Sequence, residues 1–280
     1  MATDLPLIDL LGVPVRIACS DDAHRERLTL CYSRSTATRL DRPLSASLTA
    51  DGDGWLIRVE GREDRREEGW IEAVRGFNHE LMHGVMLEAM AYYYVHAAVV
   101  SFGERAVVLP GLSQAGKSTL ALALIQRGAH FLSDELLAYD PEAERAVAFP
   151  RALKIRDVCE PYFPAFASHW QGTGEGRFLP FDALPEDAVR AHAEVAAVVS
   201  PRWTPPEEAG EDPIDACMPI TPGQALLDLT TSSLNFGTHR TQSLDCLKSL
   251  VEGAASARLA WQDPHRAAEA IEALVTGASP

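Results

Sequence analysis

Long apolar runs are scarce in this sequence. No uninterrupted apolar stretch reaches the roughly 18 residues that a membrane-spanning helix needs. The opening residues, MATDLPLIDLL, lack the basic start of a secretory signal. We therefore expect a cytoplasmic protein that has no membrane as a partner.

Basic residues and closely spaced cysteines are also scarce. Lysine and arginine number 25 against 40 aspartates and glutamates, which gives a formal net charge of −15. A negative field over the whole molecule repels phosphate backbones, so nucleic acid is not expected as a partner. The cysteines are scattered, with no close pair at metal-ligand spacing, and this pattern favours a reducing compartment. They are Cys19, Cys31, Cys159, Cys217 and Cys246.

What the sequence does contain is enough apolar material for a sizeable core. The 280 residues are 46% hydrophobic and 23% charged, which is ordinary for a globular protein. Residues 1–68 alternate short apolar and polar stretches broken by turn signals, a pattern that predicts short antiparallel strands. From about Gly69 the apolar residues fall three or four apart and predict a long helix with one buried stripe. The stripe is Ile71, Val74, Phe77, Leu81, Val85, Ala89 and Met90.

The next segment predicts a strand, a glycine-rich loop and a helix in that order. Two β-rich runs in YVHAAVVSFGERAVVLPG are separated by a turn around Phe102–Arg105, and the second ends at Pro110. STLALALIQRG consists of good helix formers and ends at Gly128. AHFLSDELLAYD then predicts a further strand. We expect two domains: residues 1–94, a β-rich module plus the linking helix, and residues 95–280, an α/β domain.

The remaining chain predicts loops followed by helices. QGTGEGRF (171–178) is rich in glycine and SPRWTPPEEAGEDP (200–213) in proline and acid, so both are expected to be surface loops. Helices are predicted around 223–234, 241–252 and 264–276, with a short strand at ARLAWQ.

GLSQAGKS, Gly111 to Ser118, satisfies the G-x-x-x-x-G-K-[ST] pattern of a phosphate-binding loop. Glycines let successive backbone N–H groups converge on phosphate oxygens, and the helix that follows directs the positive end of its dipole there. Lys117 adds a point charge for the β- and γ-phosphates of ATP, and the Ser118 hydroxyl is suited to a magnesium shell. The residues expected to bind the nucleotide are Gly111, Ser113, Gln114, Ala115, Gly116, Lys117, Ser118 and Thr119.

An acidic pair follows the loop helix. Asp134 and Glu135 are predicted to ligate magnesium with Ser118 and to orient the hydroxyl that attacks the phosphate. Successive strand residues point to opposite faces, so both can serve only if the strand ends or bulges at this pair.

The run from His96 to Tyr139, HAAVVSFGERAVVLPGLSQAGKSTLALALIQRGAHFLSDELLAY, resembles the catalytic core of HPr kinase/phosphorylase. Phosphoenolpyruvate carboxykinase has a similar loop followed by an acidic pair, and the two families share a P-loop core. The resemblance implies an α/β fold of that type behind the N-terminal β-rich module. It also implies an ATP- and magnesium-dependent kinase with catalytic residues Lys117, Asp134, Glu135 and His96. Members of the family often form rings or pairs, so a homo-oligomer is in keeping with it.

Further cations follow this core in FPRALKIRD, a segment that resembles one in kinase relatives of unknown substrate. Arg151 or Lys154 is a candidate to neutralise charge on the transferring phosphoryl group. Because the family's later signatures have no equivalent here, we expect the acceptor to be another protein, a precursor peptide or a small hydroxylated compound.

Two other functions stay open. HELMH, His79 to His83, satisfies H-E-x-x-H within the predicted helix, which would place two zinc ligands on one face with Glu80 as the base of a zinc hydrolase. The second alternative is a non-catalytic nucleotide-binding regulator, in which the loop at 111–119 binds ATP but no acceptor is phosphorylated.

Overall fold

The computed structural model describes residues 3–33, 42–171, 177–208, 213–239 and 241–277 of a mixed α/β chain. The chain forms two compact units. The first unit combines Met1–Met90 with Pro150–Leu184, and the second combines Ala91–Phe149 with Pro185–Pro280. None of the described helices combines the length and the apolar character that crossing a membrane would require.

The first unit contains a six-stranded sheet and a long helix. The sheet runs in the order β1-β3-β4-β5-β6, with β2 paired to β3. All pairs are antiparallel except β3 and β4, which are parallel because a helix, α1, crosses between them. The strands and helices are β1 (Thr3–Asp4), β2 (Ile8–Leu10), β3 (Val13–Cys19), α1 (Asp22–Cys31), β4 (Leu44–Asp51), β5 (Gly54–Val59), β6 (Arg65–Glu67) and α2 (Trp70–Glu88).

Helix α2 packs its apolar face closely on this sheet. A Cβ atom at Gly76 would lie 2.9 Å from Ile57 Cδ1, and one at Gly84 would lie 2.8 Å from Val59 Cγ1, so both glycines permit the close approach. Most of the predicted stripe, Phe77, Leu81, Val85 and Ala89, is buried. The prediction is wrong for Met90, which is 57% exposed because the helix has already ended at Glu88.

The second unit is built on a nine-stranded sheet in the order β10-β8-β9-β15-β12-β11-β7, with β17 paired to β15 and β16 to β17. The long central strand β15 is parallel to β9 on one edge and to β17 on the other. Its first elements are β7 (Tyr93–Val95), β8 (Ala97–Phe102), β9 (Arg105–Pro110), α3 (Lys117–Gln126), β10 (His130–Ser133), β11 (Leu137–Asp140) and β12 (Arg145–Val147). The later ones are β15 (His192–Trp203), β16 (Ala216–Pro219), α4 (Pro222–Thr231), α5 (Phe236–His239), α6 (Thr241–Glu252), β17 (Ala255–Trp261) and α7 (Pro264–Thr276).

The predicted hairpin, loop helix and three C-terminal helices are all present. The surface-loop prediction for 200–213 is wrong at its start, because β15 continues to Trp203 and its last residues pair with β17. Residues 209–212 of that segment, and 172–176 of the other predicted loop, lie outside the described residues.

Between the two parts of the second unit, the chain returns to the first unit. Residues 150–184 carry the short pair β13 (Leu153–Lys154) and β14 (Phe178–Leu179). Ala152 donates a backbone hydrogen bond of 2.9 Å to the carbonyl of Cys31, and Phe163 and Phe181 are fully buried. The sequence-based division assigned this segment, with all of 95–280, to one domain.

Candidate functional site

The loop Gly111–Gly116 connects the end of β9 to the start of α3. Strands β8 and β9 form the hairpin that leads into it, and β9 ends at Pro110. Leu112, Ser113 and Gln114 are exposed, so the loop backbone is accessible to a ligand.

The conformation of Gly116 is fixed by a close contact with Trp261. Its φ of 86° lies in the left-handed region that favours glycine. A Cβ atom here would lie 2.0 Å from Trp261 Cζ2, far inside van der Waals contact distance. The indole Nε1 also donates a 3.2 Å hydrogen bond to the carbonyl of Ala115. Trp261, at the end of β17, therefore sets the last turn of the loop, and no motif in the sequence marked it.

Helix α3 begins without a side-chain cap. Gly116 is its N-cap residue and makes no side-chain cap hydrogen bond. These groups, at Lys117, Ser118 and Thr119, carry the positive end of the helix dipole. An uncapped helix start of this kind is suited to binding an anion.

The Lys117 ammonium group is buried against the loop. The residue is 7% exposed. Its Nζ donates to the carbonyl oxygens of Gly111 at 2.7 Å and Leu112 at 3.0 Å. Burial lowers the pKa of Lys117, opposed by the negative charges of Asp134 and Glu135. The structure thus brings the lysine and the acidic pair into one electrostatic group.

His96 joins the lysine to the acidic turn. Lys117 Nζ lies 3.1 Å from His96 Nε2, and His96 Nδ1 lies 3.0 Å from the carbonyl oxygen of Glu135. A carbonyl only accepts and an ammonium group only donates, so one neutral tautomer satisfies both contacts, with the proton on Nδ1. His96 therefore positions Lys117 relative to the Glu135 backbone.

The acidic pair follows the end of β10. That strand stops at Ser133, whose Oγ accepts hydrogen bonds from the backbone N–H groups of Glu135 at 3.4 Å and Leu136 at 3.1 Å. Asp134 is buried and Glu135 half-buried. Because neither residue lies in a strand, alternation does not force the two carboxylates onto opposite faces.

A hydroxyl and two carboxylates are the donor types that Mg²⁺ prefers, and this ion keeps few protein ligands. Ser118 is half-buried in the first turn of α3, next to the buried Thr119. The donor chemistry of Ser118, Asp134 and Glu135 therefore fits Mg²⁺. The described residues contain no group of three or more His, Cys, Asp and Glu side chains that could hold a metal ion, but magnesium bound with nucleotide does not need one.

The two cations predicted to assist the transfer belong to the first unit. Arg151 and Lys154 line a pocket there, together with Arg75 and Arg177. Their role in phosphoryl transfer stays a prediction.

The HELMH residues also lie in the first unit, on α2. Glu80, the candidate base, is 8% exposed and accepts a 2.8 Å hydrogen bond from Arg62 Nε. Burial acts to raise the pKa of Glu80, but hydrogen bonds from Arg62 and His79 outweigh it and hold the pKa below its ordinary value. The His79 and His83 rings are 4.4 Å apart. The ion pair with Arg62 gives Glu80 a structural role.

Comparison with known proteins finds likeness among solved structures. Neither a family model nor a curated protein matches the chain. Among solved structures, this chain is similar to the HPr(Ser) kinase/phosphatase from Coxiella burnetii, with 20% sequence identity and a TM-score of 0.34. The match covers 66% of this chain and 94% of the other.

Proposed function

We propose that the loop at 111–119 binds ATP with Mg²⁺ and that the protein transfers the γ-phosphate to a hydroxyl group of an acceptor. The observation that carries the proposal is the buried Lys117 beside an uncapped helix start and an acidic pair. Burying an ammonium group costs free energy, so its retention beside helix N–H groups is best accounted for by an anionic ligand that needs both.

Each residue then has a role set by its chemistry. The backbone N–H groups of the loop and of Lys117–Thr119 bind phosphate oxygens, and the Lys117 ammonium group adds a positive charge. His96 holds the lysine in place. Ser118, Asp134 and Glu135 would hold Mg²⁺, which when bound supplies charge that neutralises the phosphate oxygens.

The transfer itself needs little further chemistry. The acceptor oxygen forms a bond to the γ-phosphorus, the bond to the bridging oxygen of ADP breaks, and the hydroxyl proton goes to a carboxylate. Asp134 or Glu135 takes that proton in this proposal. The acceptor would be a protein, a precursor peptide or a small hydroxylated compound.

The test is the melting temperature of the protein with and without Mg²⁺ and ATP. A ligand that binds only the folded state at a hundredfold excess over its Kd stabilises it by about 2.7 kcal/mol, which corresponds to roughly 5 °C for a chain of this size. We expect this shift in the native protein and its loss in Lys117→Ala.

A matched control is Lys248→Ala, which removes a lysine whose side chain is 63% exposed on α6 and should keep the shift. The proposal fails if the native protein shows no shift, or if Lys117→Ala shows the same shift as the control.

A further inference from the structure

A small pocket in the first unit is lined by four cationic side chains. Arg75 lies on α2. Arg151 and Lys154 lie at the start of the segment 150–184, and Arg177 lies in the same segment, just before β14. Its cavity volume is about 50 Å³. The positive charges come from three separate parts of the sequence, so the fold itself gathers them.

The charge of this pocket is opposite to that of the whole protein. The net charge is −15, yet none of the described residues lining the pocket is acidic. Arg177 is also paired with Asp157 and Glu160. Several cationic groups around one small pocket create a local positive potential that attracts an anion, although the molecule as a whole is negative.

The pocket wall strengthens the attraction of these cations for an anion. Ile71, Val74 and Phe178 supply apolar surface, against which charges interact more strongly than in water. Cys31 also lines the pocket, but burial raises the pKa of its thiol to about 12 against the lowering effect of Arg151. At neutral pH this thiol is protonated and provides no negative charge.

A neutral donor completes the lining. Asn78 lies one turn after Arg75 on the same face of α2. Its side-chain oxygen accepts a 2.6 Å hydrogen bond from the Tyr32 hydroxyl. That contact assigns the oxygen and leaves the NH₂ group as the end that donates.

We propose that this pocket binds one phosphate group, either free or carried by a small phosphoester. Arginine presents a planar fork of N–H donors that matches phosphate oxygens, and three of the four cations are arginines. The cavity volume suits a single such group and is too small for a nucleotide. The proposal does not depend on the function of the loop.

The test uses the Lys117→Ala protein, so that the loop does not dominate the response to phosphate. Its melting temperature is measured in potassium phosphate and in potassium chloride of equal ionic strength. We expect phosphate to raise it above the chloride value. Arg75→Gln combined with Lys154→Gln should abolish that difference, whereas Arg58→Gln, an exposed arginine of the same unit, should retain it.

Calorimetric titration gives a second readout that does not rely on unfolding. Inorganic phosphate and glycerol 2-phosphate are each titrated into the Lys117→Ala protein and into the form that also carries the pocket substitutions. We expect the protein that also carries the pocket substitutions to bind its ligand at least tenfold more weakly than the Lys117→Ala protein does. Tighter binding of the ester would assign the pocket to phosphoesters, and tighter binding of phosphate to the free ion. Binding of neither, or binding unchanged by the pocket substitutions, would overturn the proposal.

Discussion

At the scale of single residues, the loop depends on one glycine and one tryptophan. Gly116 is required both by its left-handed conformation and by the indole ring of Trp261, which occupies the space a Cβ atom would fill. The sequence predicted the glycine from its motif. It could not predict Trp261, because a contact between residues so far apart in the chain leaves no local pattern.

Gly116→Ala should therefore destabilise the protein by about 1–3 kcal/mol and abolish the stabilisation by Mg²⁺ and ATP. The measurement is chemical denaturation with and without nucleotide. Gly128→Ala is the matched control, since Gly128 has a φ of 94° but nothing within 4 Å of the added Cβ. Equal losses in the two variants would show that the contact with Trp261 contributes nothing.

At the scale of elements, the end of strand β10 and the contacts of helix α2 determine how the candidate residues are placed. The sequence placed Asp134 and Glu135 on a strand but could not set where that strand ends. The hydrogen bonds of Ser133 with two following N–H groups form the turn and end β10 before the pair. Helix α2 was predicted correctly from its spacing, but the same spacing gave no sign that Glu80 pairs with Arg62 after β5.

Glu80→Gln should destabilise the first unit by about 1–2 kcal/mol at neutral pH, because it removes a charge-assisted hydrogen bond. The folded-state pKa of Glu80 lies below its ordinary value of 4.5, so the contribution is present above that value and is lost as pH falls through the folded pKa. The stability difference between the native protein and the variant should shrink below about pH 4.

Denaturation curves at several pH values measure this difference. Glu88→Gln, an exposed position at the end of the same helix, is the control and should change stability little. A Glu80→Gln difference that persists undiminished in acid would contradict the assigned ion pair.

At the scale of the whole molecule, the chain crosses between its two units three times. The sequence-based division placed a domain boundary between residues 94 and 95, and the chain first passes from one unit to the other at Ala91. The return of 150–184 to the first unit could not be predicted, because short strands and turns such as β13 and β14 have no periodicity that shows which sheet they accompany. Phe149 and Ala188, residues of the second unit that flank this segment in the chain, both hydrogen-bond to β10. Phe149 N–H bonds to the carbonyl of Leu132 at 3.1 Å, and Phe131 N–H bonds to that of Ala188.

A chain in which residues 91–149 are joined to 185–280 through about six glycine and serine residues should therefore fold, since the linker has only a short gap to close. We expect cooperative thermal unfolding and a stabilisation by Mg²⁺ and ATP that Lys117→Ala removes. Circular dichroism and melting curves test this. A non-cooperative or unfolded chain would show that the second unit needs residues 150–184.

The most direct measurement of the central claim is calorimetric titration of ATP with Mg²⁺ into the native protein, Lys117→Ala and Lys248→Ala. Binding is predicted for the native protein and Lys248→Ala, with a loss of at least tenfold in affinity for Lys117→Ala. Absence of binding to the native protein, or equal binding to all three, would contradict the assignment of residues 111–119 as a nucleotide site.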